Sequence, residues 1–309
     1  MPDLLVGVGI SSAAAQGADP VGDALTAESA GFDFISASDH PAVKQPSFEV
    51  WTMLSWIAAR TSRIRVVTRV LGVPYRNPAV LAKMAATLDQ LCDGRLILGL
   101  GGGSGDDEFR SYGLLVPTPG EKVDGLADAL TIIRGLWMEE DFSYAGPIFH
   151  TDRANLEPKP RHRIPIWLGT FGNRALEVTG RLADGWIPSL AMAPPDRVGT
   201  MRNRVLEAAR YAGRSADELT CAYNLQIRVD ERFPVQEGVV SGSPEQVTER
   251  LAEFIRIGFR AMNFLPVGED FRGQVGRLGA EVLPALRRLP IEGDHGVGRS
   301  SSKSGKDLR

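Results

Sequence analysis

The stretch RIRVVTRVLGVPYRNPAVLAKMAATLDQLCDGRLILGLGGGSGDDEF, residues 63–109, decides the fold. Its opening run, residues 64–70, is short, apolar and rich in β-branched side chains, which predicts a buried strand. Asn77-Pro78 then gives a helix start: an amide to cap the first N–H groups and a proline at the first helical position. Apolar residues at three-to-four spacing carry that helix over residues 78–91. A second apolar run, residues 96–100, predicts another strand. Strand, helix and strand in this order make a crossover unit, and crossover units build parallel sheets. The glycine-rich LGLGGGSGDDEF that follows is not a dinucleotide fingerprint, which needs glycine at i, i+2 and i+5. Gly99 and Gly101 lead to Ser104, and Gly101 and Gly103 lead to Asp106.

Outward from this unit the alternation continues. Strands are expected at residues 4–10, 32–38, 64–70, 96–100, 164–169, 185–188, 219–229 and 261–266. Helices are expected at 19–30, 48–59, 78–91, 121–136, 173–182, 195–211, 244–257 and 271–289. Ser243 before Pro244 and Glu245 reads as a capped helix start with an anion in its first turn. Eight β-then-α pairs in a chain of 309 residues predict a closed (β/α)8 TIM barrel spanning residues 1–292 as one domain. Residues 138–163 carry aromatic alternation and a Gly-Pro turn without helical period. They read as a rim insertion, a hairpin and extended loop after the fourth helix. Residues 293–309, glycine, serine and charge, read as a disordered tail.

With 43% hydrophobic residues the chain has material for a large core, and a net charge of -3 without a dense basic cluster argues against nucleic acid and for a small-molecule partner. Two distant cysteines, Cys92 and Cys221, read as small buried hydrophobes of a reduced, cytoplasmic protein. No signal-like N-terminus or membrane-length apolar run is present, so no membrane partner is expected.

In such a barrel the chemistry sits at the C-terminal ends of the strands. The second strand, in GFDFISASDH, ends on Asp39-His40, which places both side chains at the mouth. Histidine is the side-chain type suited to pass the proton that accompanies hydride transfer, which is one reading of His40; the plainer reading is a structural hydrogen-bonder. Asp39 either orients His40 or caps the next helix. GGGSGDDEF permits a flat ring to approach the backbone, or is simply a flexible loop. GTFGNRAL, with Gly169 and Gly172 running into a helix, is either an anion site at a helix N-terminus or an ordinary turn capped by Asn173. His150, His162 and His295 lie in the insertion or the tail and read as solvated. No metal site is expected, since the first strand, LLVGVGI, carries no ligand. Trp51, Trp56, Phe142 and Phe149 are either the lining of an apolar pocket or ordinary core and rim residues.

Together GFDFISASDH, residues 63–113 and IPIWLGTFGNRALEVTGRLADGWIP closely resemble the bacterial luciferase-like superfamily of flavin- and deazaflavin-dependent oxidoreductases, over residues 4–289. The resemblance implies an enzyme moving a hydride between coenzyme F420 and a small organic substrate. The alternatives are a reduced-FMN monooxygenase of the same fold or a non-catalytic flavin-binding protein. It implies a non-prolyl cis peptide at Arg69–Val70 behind the cofactor ring, the backbone of Gly103 and Ser104 along the ring, and Gly169, Thr170, Phe171, Gly172 and Asn173 around the cofactor phosphate. His40 would face the reactive centre, with Asp39 beside it. Ser104 stands where the family's sugar-phosphate dehydrogenases place an acid, so no carboxylate is expected beside the ring. A homodimer is expected, with FEVWTMLSWIAA supplying a second buried face.

Overall fold

The computed structural model describes residues 4–234 and 236–290; the expected tail lies outside the described residues. Eight parallel strands close on themselves: β1 (Leu5–Gly9), β2 (Phe34–Ala37), β3 (Arg65–Thr68), β4 (Leu96–Gly101), β5 (Ile166–Leu168), β6 (Gly185–Trp186), β7 (Thr220–Val229) and β8 (Ala261–Pro266). Each pairs with the next, and β8 returns to β1 with Ala261 opposite Leu5. The barrel expected from the alternation is therefore the fold.

The surrounding helices are α1 (Pro20–Ser29), α2 (Val50–Arg60), α3 (Pro78–Leu91), α4 (Pro119–Met138), α5 (Asn173–Leu182), α6 (Pro195–Tyr211), α7 (Pro244–Ile257) and α8 (Phe271–Arg277). Their starts follow local chemistry. The Asn77 side chain accepts from Ala79 and Val80, and Ser243 forms a reciprocal box with Gln246. A second box, Thr118 with Glu121, begins α4 two residues before its expected start. The last helix is interrupted: a π turn, Leu278–Val282, separates α8 from Leu283–Leu286, beside Pro284, which has no N–H to give.

Short elements beyond those expected are also present, three of them near strand ends. Leu71–Gly72 continues β3 beyond a break, Asp106–Ser111 is a helix after β4, and Val239–Gly242 adds a strand beside β7. All are too short for periodicity to register. The insertion forms a hairpin, Phe142–Ala145 against His150–Ala154, and it lies along the outer face of α4. The Phe142 ring takes the space a Cβ on Gly135 would need, and buried Asp128 accepts from the Tyr144 hydroxyl and the Ile148 and Phe149 amides at 2.8–2.9 Å.

Side chains alternate across each strand, so the barrel interior is stacked in layers. Lowest lies an apolar plug of Phe34, Val67, Ile97, Trp167, Ile187, Ala222 and Ala261. Phe34 and Trp167 meet edge to face at 5.8 Å, and Gly7 and Gly185 leave room for the two rings. Two residues further along their strands, Ser36, Asn224 and Asn263 form a buried polar layer beneath the mouth.

Candidate active site

The end of β3 is shaped by a one-residue bulge. Val67 pairs with Ile97 and Leu71 with Leu100, so residues 68, 69 and 70 face only 98 and 99 on β4. Thr68 closes the gap with its side chain: Oγ1 donates to the Gly99 carbonyl at 2.8 Å and accepts from the Gly99 amide at 2.7 Å. The Arg69–Val70 peptide is cis, at the position the resemblance indicated. Val70 packs toward Gly101 and Gly169, where an added Cβ would stand 2.8 and 3.1 Å from its methyls. Glycine at the ends of β4 and β5 is thus required by the bulge itself.

Above it opens a cavity of about 410 Å³, lined by Asp39, His40, Arg69, Val70, Gly103, Ser104, Gly169 and Phe171, and also by Tyr75, Ile187, Met192 and Asn224. Eight expected site residues therefore meet at one mouth. His40 Nδ1 lies 2.8 Å from Glu108 Oε1, with the imidazole 44% exposed and the carboxylate 17%. Glu108 Oε2 accepts from the Tyr75 hydroxyl at 3.2 Å. Burial and the Glu108 carboxylate push the Tyr75 hydroxyl's pKa well up, so it stays a donor. The short helix delivers Glu108 because Gly103 and Gly105 take left-handed φ of 89° and 91° and turn the chain over the mouth; a Cβ on Gly103 would press on Phe109 at 2.6 Å. Tyr112, just beyond that helix, donates to the Pro41 carbonyl at 2.6 Å and ties it to the His40 segment.

One expectation is corrected here. Asp39 neither orients His40 nor caps α2. Its buried carboxylate accepts from the Gly72 amide at 3.1 Å and takes Arg76 in a two-point pair at 2.6 and 3.1 Å, while Glu49 caps α2. Asp39 thereby fixes the bulge against the His40 strand. Ser104 does line the cavity, and Glu108, four positions on, brings a carboxylate to His40 and Tyr75. The only sign of it in the sequence was the acidic DDEF at a strand end.

The end of β5 is less convergent. Thr170 is buried, its hydroxyl 2.7 Å from that of Thr179 and its carbonyl accepting from Trp186 at 2.9 Å, so its side chain faces away from the cavity. Gly172 and Asn173 lie outside the lining. Gly172 is the N-cap residue of α5, with no side-chain cap bond and open space around it, and Asn173 is the first helical residue, so it does not cap. None of Trp51, Trp56, Phe142 and Phe149 lines the mouth; Phe142 and Phe149 pack against α4, and Trp51 lines a groove between α2 and α3.

Comparison with known proteins bears on this geometry. The family model for luciferase-like monooxygenases matches residues 7–233. An F420-dependent glucose-6-phosphate dehydrogenase of Nakamurella multipartita is 27% identical, covering 87% of this chain and 93% of its own, and one of Segniliparus rotundus is 32% identical, covering 86% and 92%. The structure of an F420-dependent secondary alcohol dehydrogenase with an F420–acetone adduct superposes with a TM-score of 0.83 at 20% identity, over 92% of this chain and 99% of that one. On the strength of a family model that covers most of the barrel and a relative above 30% identity along nearly the whole chain, this protein belongs to the luciferase-like monooxygenase family.

Proposed function

We propose that the chain is an oxidoreductase that uses coenzyme F420 and passes a hydride between it and a small organic substrate at the mouth of the barrel. The observation that carries this reading is His40 on the wall of a cavity lined also by Arg69 and Val70 of the bulge, its Nδ1 held 2.8 Å from Glu108. F420 dependence in the relatives, read from their names, supports the choice of cofactor. The cavity suits a flat ring: its volume falls in the ~300–1,000 Å³ range of small-molecule sites, and Gly101, Gly102 and Gly103 present backbone without side chains.

In this reading Val70 and the Arg69–Val70 peptide support one face of the ring, and the backbone of Gly103 and Ser104 borders it. Gly169 and Phe171 guide the cofactor toward the α5 N-terminus, where Gly172 and Asn173 leave amides for its phosphate. Thr170 is left a scaffolding part. When bound, the deazaflavin supplies or accepts the hydride. His40 moves the proton at its exposed ring nitrogen, Nε2, while Nδ1 is held by Glu108. Tyr75 fixes the other oxygen of that carboxylate, and Asp39 positions the strand end through Gly72 and Arg76.

The test is bleaching of the deazaflavin absorbance by a panel of secondary alcohols and hydroxy acids, in wild type and in His40→Ala. Bleaching by at least one donor, lost in the variant, is expected; equal rates in both would overturn the role of His40. We further propose a cytoplasmic homodimer. Cys92 and Cys221 are buried and form no disulfide, and no helix among the described residues is long and apolar enough to cross a membrane. The α2–α3 groove exposes Val80 (57%) and Leu91 (81%), an apolar face a second copy would cover. A monomer by light scattering at micromolar concentration would contradict this.

A further inference from the structure

Arg69 has a role its backbone does not exhaust. Its guanidinium lies inside the mouth, donating through Nε to Ser36 Oγ at 3.2 Å, and among the described residues neither terminal amine has an acceptor and no carboxylate pairs with it. The neighbours that could have supplied an acceptor are committed elsewhere. Ser36 Oγ donates to Asn263 Oδ1 at 2.9 Å, Asn263 Nδ2 to Asn224 Oδ1 at 2.9 Å, and Asn224 Nδ2 to the Pro188 carbonyl at 3.1 Å. The polar layer thus holds the guanidinium in place with neutral groups and leaves its charge unanswered. A partly desolvated charge without a counter-charge is unfavourable, and an anion entering the cavity would relieve it. Desolvation pulls the Arg69 pKa down to about 10, which still leaves it charged at neutral pH. Arg76, by contrast, meets Asp39 and Glu49, Arg134 meets Asp184, and Arg95, which has no carboxylate, donates to four carbonyls.

We propose that Arg69 is the specificity-determining residue of the mouth and recognises a carboxylate on the substrate, which enters the same cavity as His40. This rests on the reading of that cavity as the site of hydride transfer, and names the substrate as a small organic acid. A carboxylate would accept from the two free amines of the fork, a geometry that a lysine point charge meets only in part. The same charge could instead answer an anionic oxygen of the cofactor ring, and the test separates the two.

Matched pairs, lactate with lactamide and crotonate with crotonamide, are titrated against wild type, Arg69→Gln and Arg69→Lys. Binding is read as a thermal shift, with and without F420, while F420 affinity is measured separately by fluorescence quenching. In wild type a carboxylate should bind about 10- to 100-fold more tightly than its amide. Arg69→Gln should abolish the preference, Arg69→Lys should keep part of it, and the F420 dissociation constant should stay within about threefold in both. Equal binding of acid and amide to wild type, which needs no variant to fold, would overturn the proposal. So would a preference that survives in Arg69→Gln, or a loss confined to F420 affinity, which would give the charge to the ring. If F420 itself fails to bind wild type, the cofactor assignment falls, while the carboxylate preference is still read without it.

Discussion

At the N-terminal end of the barrel, where the strands begin, Glu28 Oε1 accepts from the amides of Ser62, Arg63 and Ile64 at 3.0, 2.6 and 2.9 Å. Arg95 donates to the carbonyls of Ala58, Thr61, Ile64 and Cys92, and Asp184 binds Arg134, Arg163 and the Ile166 amide. At the C-terminal end, Arg69 is charged without a carboxylate, His40 is 44% exposed, and glycines hold open a cavity. The same alternation of strand and helix builds both ends. They differ in how far the charged groups are paired within the protein or left facing a cavity. Satisfied groups anchor strand starts and contribute stability; unsatisfied ones contribute chemistry at a cost to stability. Substitutions at the two ends should therefore separate turnover from stability.

The largest separation is expected at His40. His40→Ala should lower single-turnover hydride transfer by roughly 10²–10⁴, the usual contribution of a positioned proton-transfer group, with melting temperature and cofactor affinity unchanged. Joint loss of stability and affinity with normal turnover would erase the distinction at the mouth. Asp184→Ala should do the opposite, stranding two arginines and an amide at the base. A loss of about 3 kcal/mol in urea unfolding is expected, with turnover of the folded fraction intact.

Glu108→Gln sharpens the comparison because it keeps shape and removes charge. The pair it breaks is partly exposed, so the expected fall in turnover is about 5- to 10-fold, with urea midpoints within error of wild type. A collapse in stability would make Glu108 a structural residue. The smallest effect belongs to Glu28. Burial alone would raise its pKa, but the amides of Arg63, Ile64 and Ser62 outweigh it, and the carboxyl sits below its ordinary value. A lowered folded pKa means stability that is present above the unfolded value and lost as pH falls through the folded one. The urea midpoint should therefore drop below about pH 4.3. Glu28→Gln should flatten that acid limb while leaving the pH dependence of turnover alone.

What could be read from the sequence follows the same division. Strands, helices and caps are local, so Asn77-Pro78, Ser243-Pro244 and eight apolar runs were enough for the barrel. His40 was legible because a strand end at a barrel mouth is also local information. Its partner was not: Glu108 is 68 positions away, and Arg76 reaches Asp39 across 37. Arg69 inside a β-branched run gave no hint that its charge would face the cavity unpaired, since that depends on three other strands supplying Ser36, Asn224 and Asn263. At Gly172 the sequence suggested close approach, yet its φ of -74° suits any residue. Gly101, against Val70, and Gly7, against Phe34, are glycines whose missing side chain the packing uses.

The account rests on a deazaflavin at the mouth, and paired titrations of the purified protein with F420 and with FMN test it most directly, each followed by quenching of the cofactor's own fluorescence. Saturable quenching of F420 at micromolar concentration, weakened by Gly101→Val where the bulge leaves no room, with FMN binding at least tenfold weaker, is the predicted result. Tighter binding of FMN would contradict it and make the mouth the site of a flavin monooxygenase.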